Sequence, residues 1–328
     1  MTQRITQLLK FAAKLAVTVA LLGWVFSRID FAQLGTIIKT ARWSFLWGVW
    51  ILAIVVYWLY AVKMRLVMEK LDCSTDTHTL FAISMITSLY GMVLPGMVDT
   101  SVKWYMLKQR TGKGSIVFTS MVYNQFTTMV MVIMTGMVAL AAVNADRNWK
   151  VSVVCFIVIV ALAALCLMLL HEAAASKVAG VLRFLLRPFP QAVQDIVSKI
   201  LKELSIFRTA PRSFHLIQLT LVLVSSSILS SLIYLFAAKA AQIDVPLGLL
   251  VCQCALVSIL GRLPISVADL GVREATIVGS LSLYSVDASS ALFMSLVIFS
   301  CRILLAFMGA IYLLYYTFRK IPQSHPPA

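Results

Sequence analysis

A chain of 328 residues in which 61% are hydrophobic and only 12% charged lies far from the composition of a soluble domain, where about a quarter of residues are charged. That balance excludes an ordinary soluble enzyme and identifies an integral membrane protein. The formal charge of +15 would suit nucleic acid, but the basic residues sit between apolar runs, so the expected partner is anionic membrane lipid and not nucleic acid.

Apolar runs recur along the chain, each of about 20 residues and so able to cross about 30 Å of hydrocarbon. Phe45–Val62 and Val151–Leu170 are apolar on every side, whereas barrel strands alternate, so the expected fold is an all-α polytopic helical bundle. The first span, Phe11–Phe26, ends in Gly-Trp-Val-Phe-Ser-Arg with no small-residue cleavage site, and is expected to stay as an anchor. Phe31, Leu34, Ile37 and Ile38 follow at helical spacing within Asp30–Arg42, which predicts a helix lying in the interface. Trp43–Val62 is the second span, with Trp43, Trp47, Trp50, Tyr57 and Trp58, and Lys63–Thr79 reads as a charged connection.

Leu80–Val98 is apolar but broken at Gly91 and Pro95-Gly96, and it runs into Asp99, Lys103, Lys108, Arg110 and Lys113. A full span would carry those cations to the far side, so the segment is expected to turn back as a re-entrant hairpin. Ser115–Val143 is a methionine-rich span with Asn124-Gln125 near its middle, Asn144–Lys150 is a turn, and Val151–Leu170 returns. His171–Arg212 carries seven basic and three acidic residues, with Val178, Leu182, Leu185 and Leu186 on one helical face. It predicts a cytoplasmic amphipathic segment, 171–212, broken at Pro188 and Pro190 and joining a first half (1–170) to a second half (213–318) of one transmembrane domain, 1–328.

Ser213–Ala238 spans again and is serine-rich; Leu247–Leu260 is too short to cross before Arg262-Leu-Pro-Ile-Ser-Val-Ala-Asp-Leu-Gly-Val-Arg-Glu274 interrupts it. Thr276–Ser285 climbs back and Ala288–Phe318 is the last span, with Arg302 near its middle. The result is six full spans plus two re-entrant broken helices, eight hydrophobic segments in all. With this topology the cytoplasmic pieces (1–14, 63–79, 99–114, 171–213, 319–328) hold 19 Lys and Arg against 6 on the opposite side. The asymmetry places the chain in the inner (cytoplasmic) membrane with both termini cytoplasmic. Arg262, Arg273 and Arg302 remain within the membrane, where ionisable groups are rare and face a wet cavity or a partner.

The two interrupted segments echo each other. Leu94-Pro95 is followed by Asp99 and Lys103, and Leu263-Pro264 by Asp269 and Arg273, an acid and a base four apart after a proline break. Entering from opposite sides, they form the inverted pair of broken helices with which transporters build a midplane site. Candidate head-group-binding residues are therefore Arg262, Arg273 and Arg302 for a phosphate, with Asp99, Lys103, Asp269 and Glu274 orienting them or meeting a cationic moiety. The scattered histidines and the six cysteines have no ligand spacing, and no Gly-rich phosphate loop or nucleophile–base set is legible. No metal, cofactor or catalytic residue is expected.

The stretches Leu94-Pro-Gly-Met-Val-Asp-Thr-Ser-Val-Lys-Trp-Tyr-Met-Leu107 and Leu263-Pro-Ile-Ser-Val-Ala-Asp-Leu-Gly-Val-Arg-Glu274, followed by Arg302, resemble the lysylphosphatidylglycerol synthase transmembrane family, the flippase-like membrane domain. The resemblance runs through essentially the whole chain. It implies a lipid-handling domain, associated in some members with moving aminoacylated phosphatidylglycerol across the membrane and in others with glycolipid, polyprenyl-linked or hopanoid pathways. Departures are local: Asp99-Thr100 stands where the family often has Gly-Glu, Asp269 where a glycine is usual, and Asn124-Gln125 where a Glu-Arg pair is often found. These leave the substrate open. Ten residues follow Phe318, so a membrane domain lacking the soluble synthase domain is expected. The function so implied is a non-enzymatic lipid translocase moving an anionic or aminoacylated phospholipid or a polyprenyl-linked lipid. The alternatives are a membrane subunit recruiting a soluble synthase or glycosyltransferase through 171–212, and a lipid-modifying transferase.

Overall fold

The computed structural model describes residues 22–27, 31–93, 98–144, 149–170, 211–262 and 270–318. The helical segment expected at 171–212 falls outside these residues save for its last two, as do the hairpin tips 94–97 and 263–269 and most of the first span, of which 22–26 is helical. Among the described residues every regular element is a helix. In a hydrocarbon medium this is what backbone hydrogen bonding requires, because only a helix satisfies its own N–H and C=O groups.

The elements are α1 (Phe31–Thr40), α2 (Ser44–Lys70), α3 (Thr77–Val93), α4 (Val98–Thr111), α5 (Gly114–Asn144) and α6 (Trp149–Leu170). They continue with α7 (Arg212–Ala240), α8 (Leu247–Leu260), α9 (Val272–Ser282) and α10 (Ala288–Phe318). Helices α2, α5, α7 and α10 are long and apolar enough to cross a membrane, and α6 has 22 residues. Helix α7 contains a π-helical stretch, Leu223–Leu229, built on Ser225, Ser226 and Ser227.

The connections sort to two ends. At one, Lys113 Nζ donates to Asp72 O at 2.6 Å, the Arg110 guanidinium lies over the Tyr316 ring, and Tyr312 Oη meets His78 Nε2 at 3.3 Å. At the other, Arg42 N donates to Ala240 O, Gln242 Nε2 donates to Thr40 O at 2.6 Å, and Trp43 packs edge-on to Phe293. Helix α1 does not merely float in the interface: Leu34 and Ile37 pack onto the buried core, while Ile38 stays exposed.

Both interrupted segments are antiparallel hairpins rooted at opposite ends. Helices α3 and α4 pack against each other, with Lys103 Nζ on Ser84 Oγ at 3.0 Å and Arg110 Nη1 on Thr79 Oγ1 at 3.4 Å. Helices α8 and α9 likewise pair, with Gln253 Nε2 donating to Ser280 Oγ at 2.9 Å. Helix α10 joins the two: its heaviest packing is on α3, and it also packs on α9.

One boundary differs from the sequence reading. Lys63 does not begin a connection; α2 continues to Lys70 with Lys63, Met64, Val67 and Met68 buried. The continuation is amphipathic, and its outer face is tied by an Arg65–Glu69 pair at 2.6 Å, one turn apart, a spacing that supports helix. Lys63 and Lys103 therefore both lie within the bundle, and moving them out of the cytoplasmic set leaves 17 Lys and Arg against 6.

The tightest joint is Gly309 on α10, where a β-carbon would collide with the Met85 backbone and come within 3.1 Å of Ile86 N. Helix pairs in lipid approach this closely only through small residues. Gly309→Val is expected to separate α10 from α3 and to cost at least about 3 kcal/mol, since backbone cannot relax as a side chain does. Gly35→Val meets open space and serves as the control; thermal unfolding in detergent, followed by tryptophan fluorescence, compares the two.

Candidate functional site

The charges of two cations on other elements bear on one buried lysine. Lys63, 3% exposed, points from α2 toward α5, where Nζ donates to Thr128 Oγ1 at 2.6 Å and to Asn124 O at 3.4 Å. The charges bearing on it are those of Lys103 and Arg262, from the first hairpin and from the end of α8. Lys63 lies seven residues from the end of α2, about 10 Å in from one end of the bundle at 1.5 Å per residue. Arg262 follows the 14-residue α8, which carries it about 22 Å in from the other. Among the described residues the ion pairs are Arg65–Glu69, Lys239–Asp244 and Arg273–Glu274, and none involves this trio.

Polar groups without charge lie around Lys63. Tyr60, one turn before Lys63, is close to Ser226 in the π-helical stretch and feels the charge of Arg262. Gln218 Nε2 donates to Lys63 O at 3.2 Å, and Asn124 Nδ2 to Ser120 O at 3.0 Å. The remaining acceptor of each amide, Gln218 Oε1 and Asn124 Oδ1, is buried without a hydrogen-bond donor among the described residues, as is Ser120 Oγ. Buried polar atoms are nearly always satisfied by protein or by water, so these acceptors are places for an ordered water or a polar ligand group. Helix α4 also begins at the tip of its hairpin, with Asp99 in its first turn, where a carboxylate complements the positive end of the helix dipole.

The second hairpin is clamped. Gly271 precedes α9 at φ +83, a conformation that glycine adopts without penalty. Its N–H donates to Glu274 Oε2 at 2.8 Å, closing the helix start. Glu274 Oε1 accepts from Arg273 Nη2 at 2.5 Å and from Arg273 Nε at 3.1 Å. The guanidinium also lies over the Phe299 ring and beside Ser295 Oγ. Arg273 and Glu274 are 4% and 3% exposed, and each saturates the other.

Of the other expected site residues, Arg302 is exposed on α10, about 21 Å from that helix's start, and its charge, like that of Arg273, reaches Tyr234. Asp99 Oδ1 accepts from its neighbour Thr100 N at 2.6 Å, and its charge acts on Lys103 although the lysine hydrogen-bonds Ser84 instead. Asp269 lies outside the described residues. Arg262 and Lys103 each act on Lys63, which the sequence reading placed in a connection, while Arg273 and Glu274 form a separate pair. Among the described residues no group of three His, Cys, Asp or Glu side chains is placed to hold a metal ion.

A family model described as the lysylphosphatidylglycerol synthase TM region matches residues 11–309. The chain belongs to that family. The match takes in both hairpins, α10 as far as Gly309, and every residue of the cation trio. No curated protein and no solved structure matches the chain.

The clamp makes a stability prediction. Arg273→Leu leaves Glu274 buried without its partner and is expected to cost about 3–5 kcal/mol, whereas the double change Arg273→Met/Glu274→Gln recovers most of that loss. Thermal midpoints of the single and double variants in one detergent check it; equal midpoints would show that the pair does not hold the hairpin.

Proposed function

We propose that this protein is a lipid translocase of the inner membrane, and that Lys63, Lys103 and Arg262 take the phosphate of the head group. The supporting observation is a buried lysine, Lys63, on which the charges of Lys103 in the first hairpin and Arg262 in the second both act, with no carboxylate ion pair to any of the three among the described residues. Ammonium and guanidinium groups are the usual phosphate ligands, and a polar site between inverted broken helices suits alternating exposure to either leaflet. Family membership supports a lipid-related role. Arg273 and Glu274 shape the second hairpin on this reading, and Arg302 lies further along α10 as a second station for the head group.

Purified protein in vesicles carrying fluorescent phosphatidylglycerol tests the reading by leaflet accessibility over time. Lys63→Gln, Lys103→Gln and Arg262→Gln are each expected to slow exchange by about tenfold or more, the size of effect that loss of a desolvated charge contact produces. Lys239→Gln, which breaks only the exposed pair with Asp244, leaves the rate unchanged. Silence from a folded wild-type protein with every lipid would instead favour a subunit that recruits a synthase or glycosyltransferase.

We further propose that the end carrying Asp72 and Gly112 faces the cytoplasm, on the strength of the Lys and Arg asymmetry of 17 against 6. Cysteine introduced at Asp72 or Gly112 should react with an impermeant maleimide only in inverted vesicles, and cysteine at Gln242 or Ser285 only in intact cells. Of the six native cysteines, the five whose side chains are described, Cys73, Cys155, Cys252, Cys254 and Cys301, are buried.

A further inference from the structure

Eight helices repeat one packing scheme. Helices α2, α3, α4 and α5 have 27, 17, 14 and 31 residues, and α7, α8, α9 and α10 follow in the same order with 29, 14, 11 and 31. Exchanging the two sets turns each extensively packed pair among these helices into another such pair. The pairing of α3 with α10 becomes that of α8 with α5, α2 with α3 becomes α7 with α8, and α4 with α5 becomes α9 with α10. Likewise α2 with α5 becomes α7 with α10, α2 with α10 becomes α7 with α5, and α2 with α7 maps onto itself. Because the hairpins are rooted at opposite ends, the sets are inverted repeats, 44–144 and 212–318, with α1 and α6 outside them.

The repeats are crossed. The first arm of each hairpin is joined to the long span of the other repeat through glycine: Gly309 of α10 on the Met85 backbone of α3, and Gly136 of α5 where a β-carbon would strike the Ala255 side chain of α8. The second arms differ. At the start of α9, Gly271, Val272, Arg273 and Glu274 are all buried, and Arg273 reaches across to Ser295 and Phe299 of α10. At the start of α4, Thr100 and Ser101 are exposed and Asp99 is half-buried. The bond from α4 to the start of α5 lies further back, with Trp104 Nε1 donating to Gly114 O at 2.9 Å. Repeats of one topology thus stand in two conformations, the α9–α10 seam closed at its inner end and the α4–α5 seam open there. Exchanging those conformations gives a second arrangement made of the same helix pairs, and packed interfaces switch between discrete arrangements rather than deforming continuously.

We infer that the chain has that second state, in which α4 closes its first turn on α5 while α9 releases its own from α10. Each hairpin moves as one body with the span to which glycine joins it, so one rocking motion closes one seam and opens the other. The first turn of α4 is about 18 Å along the helix from the α4–α5 turn, level with Gln125 and Phe126 of α5, both exposed here. The inference goes beyond the translocase reading and stands or falls without it.

Pulsed electron–electron spin resonance on the purified full chain in lipid nanodiscs, with the six native cysteines replaced by alanine, tests it. Spin-labelled cysteines at Thr100 and Phe126 span the α4–α5 seam, and those at Ala275 and Ile303 the α9–α10 seam. Pairs at His78 and Tyr315, and at Val138 and Leu256, span the two glycine joints. Arg273→Met/Glu274→Gln, which removes the charged clamp, is expected to raise together the populations of a shorter Thr100–Phe126 distance and a longer Ala275–Ile303 distance, each by about threefold or more. Both joint distances stay unchanged. Ser295→Ala, a milder change, is expected to move the seams the same way should the double variant not fold. Seam distances that stay as in wild type, that change at one seam alone, or that lengthen at both overturn the inference, as does a change across either glycine joint. Lipid exchange does not enter this readout: a protein silent in the vesicle assay whose seams move together upholds the inference and removes the translocase, and an active one with fixed seams does the reverse.

Discussion

The contact of Gly309 with the Met85 backbone is the joint on which the arrangement depends. It holds α3, and with α3 the first hairpin, directly on α10, which also packs on α9 of the second hairpin. The distance between a hairpin rooted at one end and a hairpin rooted at the other is thereby set by one helix. Lys103 is held through this joint, whereas Arg262 is carried by α8, which packs chiefly on α5. In a bilayer there is little hydrophobic drive between helices, so close backbone approach through small residues carries more of the association than side-chain burial does.

The hairpins and the spans were legible from the sequence because they rest on strong local signals. Long apolar runs, Pro95-Gly96 and Pro264 break or continue helices whatever surrounds them, and α8 and α10 have the boundaries expected of them. Lys63 was not legible, since a lysine at the edge of an apolar run reads as the end of a span. Only the packing of α5 and α7 around it, through Thr128, Asn124 and Gln218, shows that the span continues past it. The spacing of Asp269 and Arg273 suggests one helical turn between them, but helix α9 begins only at Val272, after Gly271 at positive φ, and Arg273 bonds the adjacent Glu274, a neighbour that a four-residue spacing rule passes over.

The internal echo is therefore one of topology more than of chemistry. Each hairpin has a proline break followed by an acid and a base, yet in the second the base, Arg273, pairs with a different acid, Glu274, which also closes the helix start. The first leaves Lys103 bonded to a neutral hydroxyl, Ser84, with Asp99 against the start of α4. A clamped hairpin holds a shape, and on the proposed reading the unclamped one keeps a charge for a ligand.

That difference explains why the cation trio is costly to assemble and why its cost points outward. A buried ammonium without a carboxylate partner is several kcal/mol less favourable than a paired one, and nearby like charges add to the penalty. Neutral acceptors such as Thr128 Oγ1 offset only a fraction of it. The clamp shows that this chain can neutralise a buried cation with the residue beside it when only stability is at stake. Beside Lys63 the chain places amide and hydroxyl groups instead, several still lacking partners, so on the proposed reading the compensating charge arrives with the lipid. An anion bound there relieves repulsion between elements rooted at opposite ends of the bundle, drawing the two hairpins together. Its departure restores the repulsion, which favours their separation, and that gives a head group a physical means of biasing which side of the site is open.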